Sequence, residues 1–589
     1  MGKHLDDNDL NGYIHQTLTD AQRESMDRHL ADCPLCRARV DDARRLQRQI
    51  RLELDATLRQ AQPARTRQFS QMRASLPQQR QRALWRFHSL RMLSGVGTLG
   101  AVVLLCLFAV YVLQFWPPTP TTQLETAAPS FFAVNWDDTT PFAQGLVAGE
   151  QSILARLPQA TVYHVDVHIR DDLRRVNGRQ QIRYVNNTGQ ALDDVALRLL
   201  ANLGDSQLTV ANVLVNGRIA PPTVVNTSTI SVKLPETLAP GAAVVLEMDF
   251  SLLVGRSRRT FDGALGLLND VLGLAYWHPT VAAFADGDWL LDEPVHGLAS
   301  MGDKSYFLVR VTASSEQVLI TSGVEVDRKP TIVGDDAQQE VTFAAGPVDL
   351  FYLTASERYQ VVLSQTVGNT RINSYAYADY LLPDAQQALT EAAALLETYD
   401  ARFGVFPFTE LDLVGTPNLS FSRAGVSYPG VSLLSLNSYL YGKTGVDVAA
   451  GRQVTAQWFG RIVGQQVLAE PWLALSLTEY VALGEESGDA ITMNVAAEKA
   501  PALPIGLPAA AYESGEFDYV MRERGTQFLG ELETQLGADA FAALLRAYYQ
   551  EFAWGGATAV AFQQLAEAQC ACDLTPLFQE WVYGAASGD

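Results

Sequence analysis

The longest hydrophobic pattern in the chain is an uncharged apolar run from Leu93 to Phe115. At about 1.5 Å per residue, a helix of this length crosses a hydrocarbon core of about 30 Å. Eight arginines and no acidic residue lie between Arg59 and Arg91, whereas the proline- and threonine-rich stretch after the run carries no positive charge. The positive-inside rule therefore predicts a single-pass cell-membrane protein with a cytoplasmic N-terminus and an extracytoplasmic C-terminus.

Further along the chain, hydrophobic and polar residues alternate. Residues 163–170 place His164, Asp166, His168 and Arg170 on one face of a strand and three aliphatic side chains on the other. Histidines four residues apart on a strand are about 13 Å apart, too far to share an ion, so this polar face is interpreted as solvated. Similar runs recur to about residue 357 and predict an antiparallel β domain.

From about residue 360 the pattern is α/β and then mainly helical. It predicts a strand near Gln360–Val367, a helix over Pro383–Arg402, a strand at Leu411–Val414 and helices after Asp447. Near the N-terminus, residues 41–58 also show helical spacing of apolar side chains. These apolar positions are Leu46, Ile50, Leu52 and Leu58.

The length and charge of the chain agree with its division by a membrane. The 589 residues leave room for about three or four domains, and the formal net charge is -21. Residues 1–91 carry a net charge of +6 and the remaining residues -27. The acidic part is unsuited to nucleic acid, and the basic segment is interpreted as a tether near anionic lipid headgroups. No direct nucleic-acid partner is predicted.

A candidate metal site lies close to the N-terminus. His29, Cys33 and Cys36 form the pattern H-x3-C-x2-C. Two thiols in a tight turn and a histidine one helical turn upstream can converge on one zinc ion. His4 is the preferred fourth ligand and His15 the alternative. The cysteines could also be a redox pair or small core residues, but a redox pair does not need His29.

This segment resembles the N-terminal domain of zinc-binding anti-sigma factors, over about the first 45 residues. The resemblance implies one structural zinc ion and a sigma factor as the cytosolic partner. Leu46 to Leu58 would belong to the helices that clasp the sigma factor. The whole chain would then be a transmembrane anti-sigma factor that regulates transcription and whose extracytoplasmic part senses a peptide or protein.

The region from residue 158 onward resembles the aminopeptidase N-like zinc metallopeptidases, or gluzincins, along nearly its whole length. The matching pieces are Arg402–Phe408, Gly425–Gly430, Gln457–Gly460, Glu470–Leu473, Glu479, Tyr480 and Asp573–Trp581. The resemblance implies a thermolysin-like domain after the β domain. It also implies a zinc ion held by two histidines and a glutamate, with a second glutamate as general base.

The positions that this resemblance assigns to the zinc chemistry carry other residues. The H-E-x-x-H motif falls on residues 452–456, which read Arg-Gln-Val-Thr-Ala, and the third ligand falls on Leu475. No histidine occurs in the 293 residues after His296. The sequence therefore predicts that this region is not an enzyme and holds no metal ion. Arg452 is expected near the former metal position, paired with Glu479 or Glu470.

Other family positions are also substituted. The glutamate that recognises a peptide amino terminus falls on Ser427, and a later tyrosine falls near Arg522, with Gly525 as the anchor and Tyr519 as an alternative. A serine hydrolase built on Ser427 or Ser476 is disfavoured, since no histidine is available as a base. Cys570 and Cys572 could bind a soft metal or form a disulfide, but helix packing is the preferred interpretation.

The predicted fold class is a multidomain α+β membrane protein: a small all-α zinc module, one transmembrane helix, an antiparallel β domain and an α/β to all-α thermolysin-like domain. Two alternative functions stay open, namely a membrane-anchored zinc-finger adaptor for another cytosolic partner, and a membrane-bound metallopeptidase-family protein with an unrecognised active site. The predicted domains are 1–48 zinc-binding anti-sigma-like domain, 49–91 helix and basic juxtamembrane tether, 92–115 transmembrane helix, 116–157 stalk, 158–357 β-sandwich-like domain and 358–589 catalytically degenerate metallopeptidase-like domain.

Overall fold

The computed structural model divides the chain into two compact units, residues 1–127 and residues 128–589. In the first unit the structure describes only residue 23 and residues 27–30, which are helical and include His29. His4, His15, Cys33, Cys36 and the predicted helix over residues 41–58 lie outside the described residues. The described ranges of the second unit are 131–133, 135–255, 264–299, 302–334, 336–419, 424–440, 442–464, 467–485 and 503–584.

The structure does not support the membrane part of the predicted fold class. Among the described residues, no helix is both long and apolar enough to cross a membrane. The helix at Leu382–Arg402 has 21 residues, but Asp384, Glu391, Glu397 and Asp400 interrupt its apolar surface. The predicted span at 92–115 lies outside the described residues. The predicted single-pass topology and cell-membrane localisation are corrected accordingly, and the described fold is a β domain followed by a helical domain.

The β domain is built on an eight-stranded sheet in the order β16-β17-β14-β1-β2-β8-β4-β5. The neighbouring strands β14 and β1 pair in parallel, Val162 with Tyr306 through His168 with Thr312, because a long excursion of the chain separates them. The prediction of a purely antiparallel domain is therefore wrong at this pair; the sheet's other pairs are antiparallel. The strands of this sheet are β1 Val162–Ile169, β2 Arg175–Val185, β4 Gln207–Val215, β5 Arg218–Ile219, β8 Ala243–Leu253, β14 Ser305–Ser314, β16 Val324–Val333 and β17 Asp336–Val348.

Smaller sheets complete the β domain. One four-stranded sheet has the order β15-β18-β10-β9, a second has the order β11-β3-β7-β6, and β12 pairs with β13. Their strands are β3 Leu192–Arg198, β6 Thr223–Asn226, β7 Thr229–Leu238, β9 Gly266–Leu268, β10 Val271–Leu274, β11 Thr280–Val281, β12 Phe284–Ala285, β13 Asp288–Trp289, β15 Val318–Thr321 and β18 Leu353–Ser356.

A mixed five-stranded sheet in the order β19-β20-β21-β23-β22 opens the second domain and supports its helices. Its strands are β19 Gln360–Val367, β20 Thr370–Ala376, β21 Glu410–Thr416, β22 Gly425–Tyr428 and β23 Val431–Ser435. The described α-helices of the second unit are α1 Thr140–Ala143, α2 Ile153–Arg156, α3 Leu382–Arg402, α4 Leu436–Leu440, α5 Gly442–Ala456, α6 Trp472–Glu485, α7 Ser514–Tyr519, α8 Gly525–Leu536, α9 Ala538–Phe552, α10 Ala559–Cys570 and α11 Thr575–Phe578. Segments of π-helix at Gln457–Ile462, Val520–Arg524 and Gln579–Tyr583 follow α5, α7 and α11.

Residues 131–133 and 135–137, within the predicted stalk, pack on the β sheet. The Trp136 ring stacks on His164 of β1 with ring centroids 4.3 Å apart. Phe131 lies under the Arg310 guanidinium at 4.7 Å, and Asp137 forms an ion pair with Arg183 at 3.4 Å. His164 is consequently buried, so the interpretation of the polar face of β1 as solvated is wrong at this residue.

Candidate functional site

The candidate site lies where α5, α6 and the π-helical segment Val520–Arg524 meet. Arg452 near the end of α5 donates to Glu479 of α6 over 2.5 Å. Arg522 of the π-helical segment donates to the other oxygen of the same carboxylate over 2.8 Å. The Glu479 side chain is 7% exposed, whereas Arg522 is 45% exposed. A buried carboxylate thus holds two guanidinium groups, one inside the domain and one at its surface.

The predicted pairing of Arg452 is resolved in favour of Glu479. The second candidate, Glu470, accepts a hydrogen bond from the backbone N–H of Ala559 over 3.0 Å, at the start of α10. A carboxylate is stabilised there by the partial positive charge of the helix N-terminus. Arg522 is the second partner of Glu479. From the sequence it was identified only as a position where a tyrosine is substituted.

The edge strand β22 lies directly beside α5. The Ser427 hydroxyl donates to the backbone oxygen of Gln453, the residue after Arg452, over 2.6 Å. At Gly425 a Cβ atom would lie 2.7 Å from the Gln453 side chain, so only glycine permits this approach of strand and helix. The Gln457 amide donates to the backbone oxygen of Tyr428 over 2.9 Å. These contacts fix the edge strand against the helix that carries Arg452.

Neither serine of the disfavoured hydrolase has a hydroxyl available for catalysis. Ser427 is hydrogen-bonded to Gln453, and the Ser476 hydroxyl donates to the backbone oxygen of Met521 over 2.7 Å. Gly525 packs against Ser476 so closely that a Cβ atom there would lie 2.0 Å from its oxygen. The two serines join neighbouring elements, and Gly525 gives α8 its close approach to α6.

A second charged group lies between the β domain and the helices. The buried Lys304 amine donates to the backbone oxygen of Arg461, and burial lowers its pKa from the usual value. Arg461 forms an ion pair with Asp349 at 3.4 Å, and its guanidinium lies 5.8 Å from the ring centre of Tyr428 in β22. Tyr428 in turn stacks on Tyr352 of the β domain with ring centroids 4.5 Å apart. Arg461 therefore lies beside Tyr428, the last residue of β22.

The residues at the implied zinc position do not fit that ion. Zinc in proteins is held by thiolate, imidazole or carboxylate groups, whereas a guanidinium has no lone pair to donate and stays positively charged. Arg452 is engaged with Glu479, and Ala456 and Leu475 have no donor atoms. Within the described ranges no group of three or more His, Cys, Asp or Glu residues is arranged to hold a metal. The side chains at these positions therefore offer no set of ligands for a zinc-dependent catalytic step.

The two C-terminal cysteines form a disulfide between Cys570 and Cys572, at the end of α10. The preferred interpretation, in which these cysteines serve helix packing, is therefore wrong. The four residues of the predicted N-terminal zinc site are not brought together by any described contact, because only His29 belongs to the described residues.

Comparison by sequence finds aminopeptidases. The chain is 24% identical to human endoplasmic reticulum aminopeptidase 2 over 358 residues, which cover 56% of this chain and 36% of that protein. It is 23% identical to mouse endoplasmic reticulum aminopeptidase 1 over 222 residues, or 33% of this chain and 23% of that protein. The chain thus spans about a quarter to a third of the length of these curated relatives. No family model matches the chain.

Comparison by structure finds zinc metallopeptidases. The M1 zinc metallopeptidase from Deinococcus radiodurans is 17% identical with a TM-score of 0.52, over 73% of this chain and 95% of that one. A mutant of the same protein, solved with a Tyr-Ser-Ala substrate, matches with 17% identity and a TM-score of 0.53, over 73% and 96% of the two chains. At this identity the likeness establishes the fold.

These comparisons contradict several predictions. The prediction that the chain is not an enzyme is overturned, because the relatives above are named as aminopeptidases or zinc metallopeptidases and point to an enzyme. The prediction that the helical region lacks a metal conflicts with the zinc in the names of the solved relatives. Neither comparison supports an anti-sigma factor, a transmembrane regulator or a role in transcription. The chain is therefore similar in sequence to aminopeptidases and, over 73% of its length, shares the fold of an M1 zinc metallopeptidase.

Proposed function

We propose that this metallopeptidase-like protein engages peptides in an extended conformation along the edge strand β22. Peptide binding is the part of aminopeptidase function that these residues can carry by themselves, because it needs a strand edge and polar groups rather than a metal. Strand addition supplies main-chain hydrogen bonds for affinity and side-chain contacts for selectivity.

The free edge of β22 is the observation that carries this proposal. Strand β22 is the last strand of its sheet and pairs only with β23 among the described strands. The Ser435 N–H donates to the Ala424 oxygen over 2.9 Å just before β22 begins. Because hydrogen-bonded pairs alternate in an antiparallel ladder, the main-chain groups of Gly425 and Ser427 face away from β23. They are oriented to pair with an added strand; Gly425 is partly exposed, and Ser427 is 4% exposed.

The comparisons support the same assignment of function class. The sequence relatives are named as aminopeptidases. The solved relative with the Tyr-Ser-Ala substrate is a protein of the same fold with a short peptide bound. Since this chain spans only part of the curated relatives, their full activity is part of the proposal rather than a property carried over.

The test is binding of an alanine hexapeptide amide, which carries no acidic group, measured by isothermal titration with the full chain. Ser427→Pro removes the outward N–H of β22 without removing a donor of the β23 ladder, and we expect it to abolish binding. Ser427→Ala keeps that N–H and is the matched control, with binding retained. Unchanged affinity in a folded Ser427→Pro protein would disprove the proposed binding mode. Mass spectrometry of the same samples, with and without added zinc, measures release of the amino-terminal residue.

For the N-terminal segment we propose that His4, His29, Cys33 and Cys36 hold one zinc ion, with His15 as the alternative to His4. The support is the spacing of the thiols and imidazoles. Replacement of both Cys33 and Cys36 by serine should reduce the zinc content by one ion per chain, measured by atomic emission. Unchanged zinc content would exclude this site.

A further inference from the structure

We propose that binding along β22 selects peptides that carry an acidic group, which binds the partly exposed guanidinium of Arg522. This inference rests on the proposed peptide binding and adds the chemistry that the bound peptide must carry. The acidic group is a carboxylate, supplied either by the peptide's C-terminus or by an aspartate or glutamate side chain.

Local charge is the first support. Arg452 and Arg522 share the single carboxylate of Glu479, so this group carries an excess of one positive charge. In the part of the chain that the structure describes, Glu479 is the only carboxylate within ion-pairing distance of either arginine. Beside Tyr428, the last residue of β22, Arg461 forms an ion pair with Asp349. The local excess of positive charge at Arg522 therefore contrasts with the formal net charge of -21 for the whole chain.

Geometry is the second support. Glu479 is 7% exposed and Arg452 18% exposed, so both are held inside the domain, whereas Arg522 is 45% exposed. One guanidinium nitrogen of Arg522 is fixed by Glu479 over 2.8 Å, which orients the planar group and leaves its other donors toward solvent. A pre-oriented guanidinium is well suited to bind a carboxylate through two parallel hydrogen bonds.

The third support is the position of this group next to the strand edge. Arg452 precedes Gln453, whose backbone oxygen accepts the hydrogen bond from Ser427 over 2.6 Å. A peptide paired with the outward groups of β22 would therefore run close to the cluster. By the resemblance to gluzincins, a zinc ion would occupy this position. In this chain guanidinium groups lie there, so the expected ligand is an anion rather than a metal and a peptide amine.

Isothermal titration with three peptides tests this inference: the alanine hexapeptide amide, the same peptide with a free C-terminal carboxylate, and the amide with one alanine replaced by glutamate. We expect at least one acidic peptide to bind about tenfold more tightly than the all-alanine amide, since a charge-assisted hydrogen bond contributes about that factor. The acidic peptide that gains affinity identifies the source of the carboxylate.

Variants distinguish the specific role of Arg522 from a general effect of positive charge. Arg522→Gln should remove the preference, and Arg522→Lys should keep only part of it because the planar fork is lost. Lys443→Gln removes one positive charge from an exposed position on the same helix as Arg452 and should leave the preference unchanged. Equal affinity of all three peptides, with binding still abolished by Ser427→Pro, would overturn the carboxylate selection and retain the proposed function. Absence of binding for every peptide would overturn both.

Discussion

Two charged clusters in residues 128–589 use the same residue types but differ in what covers them. In the β domain, Arg310 binds Asp166 through two hydrogen bonds, and Phe131 lies against its guanidinium. In the helical domain, Glu479 holds Arg452 and Arg522, and Arg522 is 45% exposed. The first arginine is closed off by a segment of the same chain, whereas the second retains donors at the surface. An arginine paired with a carboxylate is therefore a candidate binding site only where the rest of the chain leaves its guanidinium exposed.

The largest expected effect is on stability when the shared carboxylate is removed. Glu479→Ala leaves two guanidinium groups without a partner in a largely buried place, and we expect a loss of about 3 kcal/mol in the free energy of unfolding. Asp166→Ala removes the corresponding carboxylate from a more exposed pair, 29% and 25% exposed, and should cost about 1 kcal/mol. Urea unfolding measures both; equal losses would remove the contrast between the clusters.

The next effect is a pH dependence in the β domain. Burial lowers the pKa of His164 to about 4, below its unfolded value of about 6.5. The unfolded state therefore binds the proton first, so this contribution is complete above about pH 6.5 and is lost as the pH falls toward 4. We expect a loss of about 3 kcal/mol between pH 7 and pH 4 from this residue.

His278 acts in the same window, because burial also lowers its pKa to about 4. The comparison therefore needs His164→Phe, which cannot titrate and should show a shallower decrease of stability with falling pH. Urea unfolding at several pH values measures the slope. An identical slope in the variant would show that Trp136 does not bury a titrating His164.

A smaller effect is expected for the aromatic cover itself. Trp136→Ala removes the ring stacked on His164 and should lower the free energy of unfolding by about 1.5 kcal/mol. Val560→Ala shortens an exposed apolar side chain on α10, 54% exposed, and should change it little. Thermal melting of both variants provides the measurement. A Trp136→Ala protein as stable as the Val560→Ala protein would mean that the Trp136 ring contributes no stability.

The smallest effect is expected at the strand edge. Ser427→Ala removes the hydrogen bond to Gln453, and the nearby Ser432 hydroxyl still reaches the same oxygen at 3.4 Å. We expect a loss of about 0.5 kcal/mol by urea unfolding and unchanged peptide binding. A large loss would show that the hydroxyl, rather than the main chain of β22, holds the edge strand in place.

The sequence predicted where the strands lie better than it predicted what packs against their faces. Alternation placed a strand over residues 163–170, and β1 occupies Val162–Ile169. The same pattern could not show that Trp136 covers His164, because that contact depends on where the preceding segment returns to the sheet. Parallel pairing of β1 with β14 was missed for the same reason, since their partners lie about 140 residues apart along the chain.

The site shows a similar limit. The resemblance placed Arg452 near Glu479, because helix positions can be carried over from a related motif. Arg522 could not be identified as the second partner, since its alignment was uncertain and the pairing joins two segments 43 residues apart. The sequence around Arg522 carries no signal of this pairing, because Glu516, Asp518 and Glu523 are nearer acidic residues.

The packing of residues 131–133 and 135–137 also has a mechanical consequence. This segment is the first described part of the second unit, and it is attached to the sheet by stacked rings and by the ion pair between Asp137 and Arg183. A pulling force applied to the chain before residue 131 would act first on these side-chain contacts, and the hydrogen bonds of β1 would carry tension only after the segment had peeled away.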